Sequence, residues 1–89
     1  MTSREVEIVN RLGLHARAAA KFVHMAARFE SNIYVARDSQ EVNGKSILGL
    51  LLLAAISGTQ LRISADGTDE NEAITALSDF VFKRFGEEA

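Results

Sequence analysis

The sequence predicts an α+β domain: four antiparallel strands with three helices on one face, in the order βαββαβα. Three observations carry this. Residues 5–8 and 60–65 alternate polar and apolar, as a strand with one buried face does. Residues 16–29, 46–53 and 69–85 carry apolar side chains at helical spacing, and the chain has no proline to interrupt them. Turn signals at Gly13, Ser31-Asn32, residues 37–40, Gly44, Ser57-Gly58 and Asp66-Gly67 separate these segments. A chain of 89 residues holds one small domain, here residues 1–89, with no linker or repeat.

In chain order, residues 5–8 form the first strand, with Val6 and Ile8 pointing inward. Residues 10–14 are a loop in which Gly13 allows a tight turn. Residues 16–29 then read as a helix rich in alanine, with Ala19, Phe22, Val23, Ala26 and Phe29 on its apolar face. Arg17, Lys21, His24 and Arg28 form a basic stripe on another face, either a solvated surface or a dock for an acidic partner. Residues 33–36 have strand composition, residues 37–40 a hairpin turn, and residues 41–43 a short returning strand.

Ser46 is placed to cap the second helix. Ile47, Leu48, Leu50, Leu51, Leu52 and Leu53 cover nearly its whole circumference. A helix apolar all round must be buried on every side, and a domain this small has few layers. Some of these side chains are therefore expected to be exposed, as a docking patch. A buried strand or a fully covered helix is the alternative. In the strand at residues 60–65, Leu61, Ile63 and Ala65 should face in, and Arg62 and Ser64 out. Asp69 and Glu72 have the spacing of a capping box for the last helix. Its apolar stripe is Ala73, Ile74, Leu77, Phe80, Val81 and Phe85, and Gly86 is its expected stop.

Composition excludes several function classes. Net charge is −2, which argues against a nucleic-acid footprint. The absence of cysteine removes disulfide scaffolds and thiolate metal sites. His15 and His24 lie about half a helical turn out of phase and cannot easily share a metal ion. The N-terminal residues show no secretory h-region, and the longest apolar run is too short to span a bilayer, so a cytoplasmic protein without membrane insertion is expected. No Walker motif or acidic cluster for Mg²⁺ is present, so no cofactor is expected.

Chemistry concentrates at the junction Asn10 to Ala20, where His15 stands at a helix start with Arg17 two residues on. The first N–H groups of a helix lack internal partners and carry its positive dipole end, so an anion meets preformed donors there. A neutral imidazole is a nucleophile, so such a histidine can take a phosphoryl group. The N–H groups near Ala16 and Arg17 would then cradle it, and the Arg17 guanidinium could add a charge-assisted hydrogen bond. Spacing alone favours the plainer reading, in which His15 is a polar cap and Arg17 a solvated charge, because helix starts are common.

Gly13-Leu14-His15-Ala16-Arg17 resembles the active-site motif of the phosphocarrier protein HPr family, from the sugar phosphotransferase system. Residues 43–51, Asn-Gly-Lys-Ser-Ile-Leu-Gly-Leu-Leu, resemble the regulatory serine segment of the same family. Motif order and separation agree over nearly the whole chain. The resemblance implies an open-faced β-sandwich and a carrier rather than an enzyme. It implies phosphorylation of His15 on Nδ1 by the phosphoenolpyruvate-dependent enzyme I, and transfer to sugar-permease subunits of the EIIA type or related acceptors. Ser46 would be the target of a regulatory kinase and phosphorylase, and Ile47, Leu48 and Leu51 interface positions. Beside what the resemblance implies, Lys21, His24 and Lys45 are further candidates for partner binding, and a monomer is expected. Ala18 departs from the family's usual proline, and Leu48 and Leu51 from its frequent methionine. Two rival readings are a regulatory binding module of the same fold, for example in a nitrogen-related phosphorelay, and a small domain that binds a free anion at the His15 helix start.

Overall fold

A computed structural model describes residues 1–89. The strands are β1 (Thr2–Glu7), β2 (Asn32–Arg37), β3 (Gln40–Asn43) and β4 (Gln60–Asp66). The helices are α1 (Ala16–Ala26), α2 (Ile47–Leu52) and α3 (Glu70–Phe82). A short 3₁₀ turn, Arg84–Gly86, follows α3 and was not predicted. The remaining order is the predicted βαββαβα.

The sheet is antiparallel throughout, in the order β1-β4-β2-β3. Periodicity gives no strand order, because it reports which face is apolar and not which neighbour is bonded. β4 is central: Ile63 lies opposite Arg4 on one side and Val35 on the other. The alternation of Leu61, Ile63 and Ala65 puts all three against the helices, with Ile33 and Val35 of β2 beside them. One core of 19 buried residues unites these with Ala18, Ala19, Phe22 and Ala26 of α1 and Ala73, Ile74, Leu77 and Val81 of α3.

Several details differ from the predicted elements. Ile8 is fully buried but lies just beyond β1, while Val6 is only partly covered on this edge strand. Ser64 faces away from the helices as predicted, yet it is buried. It sits on the central strand, where Ser3 of β1 shares a hydrogen bond with it at 2.8 Å. α1 ends at Ala26, not Phe29. The next amides make i→i−3 bonds, Arg28 to Met25 at 3.1 Å and Phe29 to Ala26 at 3.2 Å, so the last turn tightens and stops.

The capping box does not form. The Asp69 carboxylate turns away from α3 and accepts from the Glu30 amide at 2.9 Å, the Ser31 amide at 3.0 Å and the Ser31 hydroxyl at 2.5 Å. It ties the loop after α1 to the start of α3, and the Ser31 hydroxyl leads the causes that hold the Asp69 carboxyl below its ordinary value. α3 stops at Phe82, before the expected Gly86. Arg84, Phe85 and Gly86 then adopt φ of 59°, 53° and 77°, three successive left-handed residues that swing the tail back toward α1.

Candidate functional site

His15 is the N-cap of α1, with extended backbone (φ −79°, ψ 177°) and a carbonyl that accepts from the Ala19 amide at 2.8 Å. Ala16, Arg17 and Ala18 precede that bond, so their N–H groups have no partner within the helix. The loop before it is fixed by close approach. Gly13 has φ +70°, and a Cβ there would stand 2.6 Å from the Ala55 carbonyl oxygen and 3.0 Å from Ile56 Cα. Only glycine fits. Next to it the Leu14 amide donates to that same Ala55 oxygen at 2.8 Å, and the Leu14 side chain is buried.

The His15 ring is part-buried, and its Nε2 meets the Glu87 carboxylate, 72 residues later in the chain. The other Glu87 oxygen accepts from Asn10 Nδ2 at 2.8 Å. Asn10 is fully buried, and its Nδ2 also donates to the Gly13 carbonyl at 2.8 Å. Burial opposes the charged form of Glu87. The Asn10 and His15 hydrogen bonds, with attraction to His15 and Lys21, outweigh that and hold its carboxyl below the ordinary value. Neither Asn10 nor Glu87 figured among the residues chosen from sequence. No spacing rule links positions so far apart, and a glutamate two residues from a chain end carries no local signal.

Arg17 is exposed and makes no ion pair. With Arg11, Lys21, Glu87 and Glu88 it lines an open depression beside the His15 loop. Ala16 and His24 are exposed on α1 as well. Lys21 reaches the Phe85 carbonyl at 3.4 Å. Lys45 is half-buried and donates to the Phe29 carbonyl at 2.7 Å, which ties its ammonium to the end of the α1 turn. No group of three or more His, Cys, Asp or Glu side chains is arranged to hold a metal, and no helix is long and apolar enough to cross a membrane.

The second junction is built as predicted. Ser46 Oγ accepts from the Gly49 amide at 3.0 Å, a side-chain N-cap. α2 sends Leu50 into the core, followed by Leu53 just past its end. Ile47, Leu48, Leu51 and Leu52 stay exposed, Leu48 at 76 %. The covered-helix and buried-strand alternatives are therefore wrong. α2 packs chiefly on α1 and β3 with its inner side, and a domain of this size has no further layer to cover its outer side.

A family model described as the phosphorylation site of the HPr component of the phosphotransferase system matches residues 2–83. The phosphocarrier protein HPr of Neisseria meningitidis is 48 % identical over 98 % of each chain. A crystal structure of HPr from Thermoanaerobacter tengcongensis matches with TM-score 0.95 and 47 % identity over 100 % of both chains. A dimer of that organism's HPr matches with TM-score 0.78, over 98 % of this chain and 100 % of that one, at 47 % identity. Two motifs, the strand order around them and near-complete coverage agree, and the chain belongs to the HPr family of phosphotransferase-system phosphocarriers.

Proposed function

We propose that this chain, as one domain acting in the cytoplasm, accepts a phosphoryl group on His15 from phosphorylated enzyme I and passes it to sugar-permease subunits or related acceptors. One observation carries the reading: a histidine stands at the start of α1 beside three N–H groups without helical partners, with Arg17 free on the same turn. The Nδ1 lone pair attacks phosphorus, the N–P bond forms, and the bond to the donor breaks with its electron pair. The N–H groups of Ala16 and Arg17 and the Arg17 guanidinium balance the dianion. Return transfer reverses the step, so the protein is a carrier, a substrate of its partners and not itself an enzyme.

Each cycle needs one copy of the site, since His15, Arg17, Asn10 and Glu87 come from one chain, and we take the acting form to be the monomer. The exposed face of Ile47, Leu48 and Leu51, with Lys21 and His24 on neighbouring α1, supplies the docking surface. Phosphorylation of Ser46 would set about −1.5 to −2 charges at its border, where a partner must desolvate them. The test is incubation with phosphoenolpyruvate and enzyme I. Wild-type protein should gain one acid-labile phosphate, and His15→Ala none while keeping its fold. Phosphate on His24 would refute the assignment.

A further inference from the structure

The tail after α3 has a use that the carrier reading does not require. Asn10 Nδ2 has two hydrogens, and both are committed: one to the Gly13 carbonyl at 2.8 Å, the other to Glu87 Oε1 at 2.8 Å. Because Asn10 is fully buried, its amide is held in place, and Glu87 is held with it. Two further anchors fix the tail. Phe85 fills the core, and the Arg11 amide donates to the Ala89 carbonyl at 2.8 Å. The free oxygen of Glu87 then faces Nε2 of His15.

We propose that Glu87 is a positioning residue for His15: its carboxylate accepts a hydrogen bond from Nε2–H, so the ring is held in one orientation with its lone pair on Nδ1. An ionised carboxylate accepts and never donates, so a neutral ring in this contact must carry its hydrogen on Nε2. The proton count closes. When the N–P bond forms on Nδ1, the ring becomes a cation, Nε2 keeps its hydrogen, and Glu87 remains an anion beside it. When the phosphoryl group leaves, the N–P electron pair returns to Nδ1 and the ring is neutral again. No proton moves in either direction. The carboxylate thus selects the nucleophilic nitrogen and stabilises the charge that appears during transfer.

For its reaction the proposal rests on the carrier reading above, but the orientation can be measured without any partner. Ring ¹⁵N shifts of His15 should be recorded above the imidazole titration range in wild type, Glu87→Ala and Glu87→Gln. Glutamine has the same size but one acceptor oxygen for two donors, Asn10 and His15. In wild type Nε2 should be protonated and Nδ1 bare, with widely separated shifts. In both variants the two shifts should move toward each other. The initial rate of phosphorylation by enzyme I should fall about tenfold, the scale of one lost charge-assisted bond, with the melting transition kept. Wild-type ring shifts in the variants, or a wild-type rate in Glu87→Gln, would overturn the proposal. Failure of wild-type protein to accept phosphate would instead overturn the carrier reading, and the shifts would still decide the positioning.

Discussion

Leu48 and Leu50 are two residues apart on a six-residue helix and should behave as different kinds of residue. Leu50 is 1 % exposed, and Leu50→Ala should cost about 2–5 kcal/mol, the range for truncating a buried leucine. In a domain this size that lowers the melting midpoint by about 10 °C or more. Leu48 is 76 % exposed, so Leu48→Glu removes little buried surface. It also places a carboxylate in the first turn of α2, where the dipole favours it by about 0.3–1 kcal/mol. Its midpoint should stay level or rise slightly. Binding should reverse the ranking. Burying a leucine fully is worth about 1.5–3 kcal/mol, and three-quarters of that, about 1–2 kcal/mol, is still available to a partner. Leu48→Glu should therefore weaken enzyme I binding by about tenfold or more, since the partner must also desolvate the new charge. Below its midpoint Leu50→Ala should bind nearly as wild type. Calorimetric titration and thermal melts on the same samples decide it. If Leu48→Glu loses stability as Leu50→Ala does, or binds enzyme I normally, the division of α2 into core and docking faces is wrong.

Two stability predictions concern the backbone just past α2 and a carboxylate at the start of α3. Ala54, exposed just past α2, has φ +49°, a conformation that costs a non-glycine residue about 1–2 kcal/mol. Ala54→Gly should relieve that strain, return about 0.4–1 kcal/mol as unfolded-state entropy, and raise the melting midpoint by a few degrees; a lower midpoint refutes the account. Asp69 has a folded pKa below its ordinary 3.8, chiefly through Ser31, so its contribution is present above that value and lost as pH falls through the folded one. Wild type should be more stable to urea than Asp69→Asn at pH 7, and the gap should narrow below about pH 4; a constant gap refutes the linkage.

What the sequence made legible was local. Alternation at Leu61, Ile63 and Ala65 and helical spacing at Ala19, Phe22 and Ala26 each report a face, and those faces are the ones buried. The leucine excess of α2 is a counting argument about surface, and it survives because it needs no knowledge of neighbours. The failures are where a side chain had a better partner elsewhere. Asp69 had the spacing of a capping box, but three donors at Glu30 and Ser31 compete for its carboxylate and win. Glu87 was invisible because its meaning depends on three left-handed residues that no propensity favours at Arg84 and Phe85.

The His15 junction and the leucine helix are also joined through the backbone. Leu50 and Leu53 are buried and fix the inner side of α2, so its end cannot shift without disturbing the core. The chain leaves α2 through Ala54, held by Arg37, whose guanidinium donates to the Leu53 and Ala54 carbonyls at 2.8 and 3.0 Å. The next residues, Ala55 and Ile56, are those against which Gly13 rests, and Ala55 takes the Leu14 amide. The backbone two residues before His15 is therefore seated on the exit of α2. This arrangement needs glycine at 13, since any Cβ there would push the loop off its seat. If the proposed carrier reading holds, a donor docked on α2 would meet the ring in an orientation set jointly by Ala55 beneath the loop and by the Asn10–Glu87 pair beside it.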